Sequence, residues 1–252
     1  MDIDVNFDFT NDTTGYWSNY WGNDYIFGRS NVDPDLSCKT LFIFHEQLYS
    51  RRLPNGDNLV INYSKDKNCL VGNGIRFGND SIATSFRSSR YANLIGAVAS
   101  EIDDFKSYIE NYVHKSYTLG GEIIFPKMVG SINQMRGCNP YIRDRWDLTL
   151  ECIRRYYKNE ESPLFTTLKN NDGFFKLFVD FKGYVDYFFL QDYVSEDYNE
   201  VKFLIETNCF ETDPVPKNVQ EYCTWIDKTI ELIARRNKRI KDYLEQKQNP
   251  LD

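Results

Sequence analysis

Short apolar runs broken by turn residues fill positions 40–87, and apolar residues recur every three or four positions over roughly 91–115 and again from 140 onward. "TLFIFHEQLYS" (40–50) and "NLVINYS" (58–64) read as strands flanking "LPNG" (53–56), in which Asn55-Gly56 is a hairpin-turn signal. "NCLVG" (68–72) and "SIATSFR" (81–87) continue the strands. Leu94, Ile95, Val98, Ile102, Phe105, Ile109 and Val113 predict one helix over roughly 91–115, and "YTLGGEIIFP" (117–126) predicts another strand. From 140 onward the pattern is helical. On a wheel Ile142, Leu150, Ile153 and Tyr157 share the face of Trp146, while Arg143, Asp147, Glu151 and Arg154 lie on its flank. Ser162-Pro163 signals the start of a further helix, with Ser162 as cap.

"FFKLFVDFKGYVDYFFLQD" (174–192) is apolar nearly all round, which predicts a central buried helix. "EVKFLI" (200–205) reads as a late strand. About 217–247 reads as a long helix with Tyr222, Ile226, Ile230 and Ile233 on one stripe. This order predicts an α+β fold, an N-terminal antiparallel sheet with a helical C-terminal half packed against it. No repeat or low-complexity linker interrupts residues 1–252, so a single domain is expected, with a strand-rich half (1–126) and a helix-rich half (127–252).

Composition changes the picture mainly by exclusion. With 252 residues, 41% hydrophobic and 27% charged, the chain can bury a sizeable core, and 18 Phe, 18 Tyr and 4 Trp predict a largely aromatic one. A net charge of −7 argues against broad nucleic-acid binding but leaves room for a local basic patch. The acidic start "MDIDVNFDF" does not read as a signal peptide, and no long apolar window reads as a membrane span. Six cysteines without a CxxC pair, and only His45 and His114, argue against a zinc site of ordinary spacing. The cysteines read as reduced, mostly buried thiols, which places the protein in the cytoplasm.

Five segments carry a resemblance: "FGNDSI" (77–82), "YTLGGEIIFP" (117–126), "SINQMRG" (131–137), "DRWDLTLECIRRYY" (144–157) and "FVDFKGYVDYFFLQD" (178–192). Together with "DPD" (33–35) and "LPNG", they resemble a bacterial family known only as a domain of unknown function. The resemblance covers most of the chain and implies no activity. Relatives of that kind often carry "IRRHY" where this chain has Tyr156, so a mechanism needing that histidine is not available here.

The densest polar stretch runs from Gly130 to Arg155. Asn133, Gln134 and Arg136 fall in an expected loop freed by Gly130 and Gly137, where amide and guanidinium donors, with Arg145, can hold a phosphate or carboxylate. Asp144, Asp147 and Glu151 follow, and carboxylates one turn apart can raise one another's pKa for acid–base work. Asp180, in the apolar helix, needs a partner, and the arginines of this stretch are candidates. The bland alternative is equally concrete: Arg154 and Arg155 follow Glu151 at ion-pair spacing, and Arg136 can simply tie loop to helix.

Three functions follow. One is an enzyme acting on a nucleotide or nucleic acid, with Asp144, Asp147, Glu151 and Asp180 as catalytic carboxylates or Mg²⁺ holders and Asn133, Gln134, Arg136 and Arg145 as ligand or phosphate binders. Another is a ligand-sensing or protein-interaction module whose polar cluster is structural. Its interaction form would use the basic run "ARRNKRIK" (234–241). A distant third rests on His45, Tyr49, Ser85, Arg87 and Ser88, with Glu122 or Glu151, which in outline resemble the NAD-gripping strands of ADP-ribosyltransferases.

Overall fold

The computed structural model describes residues 2–22, 25–26, 28, 32–128 and 130–248. The first half contains the helices α1 (Tyr16–Tyr20), α2 (Pro34–Ser37), α3 (Lys39–Tyr49), α4 (Ala92–Glu101) and α5 (Phe105–Ser116). It also holds the strands β1 (Ile61–Ser64), β2 (Cys69–Gly72), β3 (Ile75–Ser81) and β4 (Glu122–Pro126). The second half contains α6 (Ile132–Cys138), α7 (Trp146–Tyr157), α8 (Phe165–Asn170), α9 (Asp172–Phe175), α10 (Phe181–Tyr187) and α11 (Val219–Gln248). The strands form one antiparallel sheet in the order β1-β2-β3-β4. The expected α+β architecture is therefore present, with α11 packed against the segment that opens β4. No helix of the described residues is long and apolar enough to cross a membrane.

Two turns explain the sheet's first strands. Asn73 (φ 48°) and Gly74 (φ 78°) form the two-residue link between β2 and β3, where positive φ at both positions suits the strand twist. Asn55-Gly56 makes its expected turn, with Gly56 N–H donating to Leu53 O (2.9 Å), but only the single bridge Arg52–Asn58 flanks it. Preceding it is helix α3, which corrects the strand expected at 40–50. Leu41, Phe44 and Leu48, with Phe42, His45 and Tyr49, recur at three and four and are all buried, so the helical period outweighs the aromatic content.

The other corrections have local causes. Of the run expected at 81–87, Ser81 closes β3 and the rest is an irregular segment. The expected helix 91–115 breaks at Asp104 (φ 49°), which caps α5 by accepting from Ser107 N–H (3.3 Å). The expected loop at 131–137 is α6, capped by Ser131 Oγ accepting from Gln134 N–H (3.4 Å). Ser162 does not cap α8, which starts three residues later. The apolar run 174–192 is interrupted at Val179 (φ 69°), and α10 starts afresh at Asp180. At 200–205 there is only the bridge Val194–Val201.

Two apolar clusters result. The larger joins α3, the sheet, α7 and α10 around Phe77, Phe125, Trp146 and Tyr184. The smaller joins α1, α4, α5 and α11 around Tyr16, Tyr20, Phe86, Tyr112 and Trp225. Gly121 lets the turn into β4 approach the end of α5, since a Cβ there would lie 1.6 Å from Ser116 O.

Candidate functional site

The eight residues expected to converge fall into separate places. Arg136, fully buried on α6, sends Nη1 to Asp80 Oδ2 (2.6 Å) and Ser81 O (2.7 Å), and Nη2 to Asp144 O (2.9 Å). Its Nε lies 3.2 Å from Asp144 Oδ1. Those contacts engage the guanidinium with the protein, leaving it little to offer a phosphate. Burial pushes the Asp144 carboxyl up to about 6 while Arg136 pulls it down, and its side chain is 41% exposed.

Arg145 and Asp147 form a second, closed unit. Both are fully buried, joined by Nε to Oδ1 (3.0 Å) and Nη2 to Oδ2 (2.6 Å). The N–H groups of Leu148 and Leu204 complete the carboxylate (2.9 Å each), and Arg145 Nη1 donates to Pro214 O (2.9 Å). Glu151 is gripped by Arg154 (2.7 Å twice) and Arg155 (2.8 Å). Burial raises its pKa, but those two guanidiniums more than offset this and leave it below its ordinary value. Asp180 is exposed and caps α10 by accepting from Gly183 N–H (2.7 Å), so it needs no arginine. These residues read as scaffold. Tyr156 donates to Asp172 Oδ1 (2.5 Å). Among the described residues, no group of three or more His, Cys, Asp or Glu could hold a metal ion.

The basic run is likewise occupied. Arg236 is fully buried, and Arg235, Lys238, Arg239 and Lys241 each pair with a nearby carboxylate. His45 is a buried helical residue whose Nδ1 donates to Asn79 Oδ1 (2.8 Å), and burial lowers its pKa to about 3, so it is neutral. Glu122 is fully buried and its carboxyl oxygens have no hydrogen-bond partner among the described residues. Burial, with Asp35 and Asp80, pushes its pKa well up, more than Arg236 pulls it down.

Arg87 differs from the arginines described above. Arg87 is 3% exposed, and its guanidinium is sandwiched 4.3 Å from the ring centroids of both Tyr20 and Trp21. Its Nε donates to Tyr25 O (2.7 Å), while Nη1 and Nη2 make no hydrogen bond of ordinary geometry among the described residues. Burial pushes the pKa of the Tyr20 phenol up, and the guanidinium sits close enough to pull it down. The loop carrying it is pinned: Tyr112 Oη (3.0 Å) and Trp225 Nε1 (2.7 Å) donate to Thr84 O, and Tyr222 Oη donates to Ser85 O (2.9 Å). Phe86, buried next to it, is held at φ 53°, a conformation that costs a non-glycine residue energy and persists only when its surroundings enforce it.

Arg87 lines a cavity of about 230 Å³ with Tyr16, Asp33, Ser81, Ser85 and Tyr117. Burial pushes Asp33 up to about 7, and its Oδ1 is buried without a partner among the described residues. The cavity thus presents two unmet donors, one proton near its titration point and an aromatic wall. Sequence reading places Arg87 and Ser85 only in the distant reading beside His45, and Asp33 only in the "DPD" segment of the resemblance.

A sequence model of a family of unknown function, DUF6994, matches residues 3–240. No curated protein and no solved structure matches the chain. The chain belongs to the DUF6994 family.

Proposed function

We propose that this protein binds a compact anionic small molecule in the Arg87 cavity, the phosphate end of a nucleotide being the class that suits it, and that it works in the cytoplasm. One observation carries the reading: a buried guanidinium with two unmet nitrogens on a cavity wall. A buried cation with two nitrogens that have no acceptor among the described residues is costly, and a bound oxyanion would supply acceptors for them. Ser85 lies beside it, and Tyr16 and Tyr117 offer rings for stacking. The volume is below the ~300–1,000 Å³ typical of ligand pockets, so it suits part of a mononucleotide better than an enclosed dinucleotide. This weighs against the reading based on ADP-ribosyltransferases. The six free cysteines support the compartment.

Asp33 favours a second, enzymatic reading. A carboxyl titrating near 7 beside a bound anion can donate or accept a proton during transfer chemistry.

Calorimetry with inorganic sulfate, which keeps its charge across the range, tests the binding. Arg87→Met is expected to weaken it roughly 10–100-fold, the worth of charge-assisted bonds. Melting temperature should change little, because the cost of two unmet guanidinium nitrogens is removed together with the Tyr25 bond and the ring contacts. Wild-type affinity should increase as pH falls through about 7, because Asp33 must carry its proton to sit beside an anion. Asp33→Asn should flatten that dependence. Sulfate binding that Arg87→Met leaves unchanged would remove the proposal.

A further inference from the structure

A second cavity of about 230 Å³ is lined in part by sequence neighbours of residues that line the first. Asp33 and Asp35 flank the buried Pro34 at the start of α2, and Ser81 and Asn79 flank Asp80 on β3. In each pair the first residue lines the Arg87 cavity and the second lines its neighbour. Ser81 and Asn79 point to the same face of the strand, two residues or ~7 Å apart.

The second cavity has the opposite chemistry. Asn133 Nδ2 donates to Asn79 O (3.3 Å), which leaves Asn133 Oδ1 buried and without a donor. Asp35 Oδ1 is buried without a partner too. Asn79 is itself fixed, by His45 Nδ1 (2.8 Å) and through its own Nδ2 to Asp35 O (3.4 Å), so the wall is rigid. Phe42 and Phe125 line the same space, and Lys127, also on its wall, donates to Asn68 O (3.5 Å). Two orphan oxygens between aromatic residues match a flat heterocycle that offers N–H donors.

We propose that this second cavity reads the amino-bearing edge of a nucleobase whose phosphate is held by Arg87. The inference rests on the Arg87 reading and deepens it. The step along β3 is on the scale of a sugar, which is the span the proposal asks of one mononucleotide. Burial and Asp33 also hold the Asp35 carboxyl well above its ordinary range, so the base subsite adds little repulsion to a nearby phosphate.

Calorimetry with AMP, CMP, GMP, UMP and ribose 5-phosphate tests it. The three amino-bearing nucleotides should bind roughly tenfold or more tightly than UMP and ribose 5-phosphate. Asn133→Ala should bring them down toward ribose 5-phosphate while leaving ribose 5-phosphate itself unchanged. Asp35→Leu, which removes the acceptor oxygen and keeps the position neutral, should reduce the same preference and guards against misfolding of the first variant. Equal binding of all five ligands, or an equal loss of all five in both variants, overturns the base subsite and leaves the Arg87 reading standing. Binding of none of the five to the wild type overturns both.

Discussion

Replacing Asp147 with alanine should destabilise the protein by about 3–5 kcal/mol, a fall in melting temperature of roughly 6–20 °C for a chain of this size. The variant strands the fully buried Arg145 guanidinium, which lies 5.2 Å from the Trp225 ring, without its carboxylate. It also leaves the N–H groups of Leu148 and Leu204 unpaired. Because Leu204 and Pro214 both bond to this pair, its loss loosens the irregular segment that joins α10 to α11. The double variant Arg145→Met/Asp147→Leu should cost much less, since neither charge is then left alone. Thermal melts of the three proteins decide the matter. A single variant that melts like the wild type but no longer binds its ligand would return Asp147 to the functional site.

Arg236→Met should be nearly as damaging, at roughly 3 kcal/mol or more, because it orphans several buried acceptors at ~1–3 kcal/mol each. Nε donates to Phe188 O (2.9 Å), Nη1 to both Gly120 O and Glu122 O (2.8 Å each), and Nη2 to Tyr49 Oη (3.0 Å). One side chain of α11 thus satisfies the carbonyls around the start of β4 and reaches α3 and the end of α10. Next to it, Asn237 Oδ1 accepts from Gly120 N–H (2.5 Å) and its Nδ2 donates to Thr118 Oγ1 (2.9 Å). Charge reversal at Arg235, Lys238, Arg239 and Lys241 should move the melt far less, since exposed pairs are worth little. Comparing Arg236→Met with that surface variant by denaturant unfolding separates the two roles within one run of basic residues. Equal losses would show that the buried bonds do not govern the helix's contribution.

Much of this architecture is legible in the sequence. Periodicity located the long last helix, Asn-Gly marked a real turn, and β2 and β4 fell within the runs expected for them. α3 was not read as a helix because its aromatic and β-branched composition suggested a strand, although its apolar spacing was helical. Ser131-x-x-Gln134 is a capping-box pattern that announces α6, but the flanking glycines suggested a loop. Asp180 before "FKG" is a cap signal that the surrounding apolar run concealed.

The site was less legible because its decisive contacts are long-range. Arg136 meets Asp80 across 56 positions, and Asp147 meets Leu204 across 57, so no local pattern shows that these groups satisfy one another. Arg87 stands out only once every other arginine around the site has been accounted for. A signal was present: Asp80 and Glu122 sit within or beside apolar strand sequence, where a charge is expensive and calls for an explanation.

The central claim is that the ligand site is the Arg87 cavity, and that the Arg136, Arg145–Asp147 and Glu151 groups are scaffold. Anomalous diffraction from crystals soaked in tungstate, a heavy oxyanion, tests it most directly. The account predicts a tungsten peak within hydrogen-bonding reach of Arg87 Nη1 and Nη2 that disappears in Arg87→Met crystals. A peak beside Arg136 and Asp144, with the Arg87 cavity empty, would contradict it.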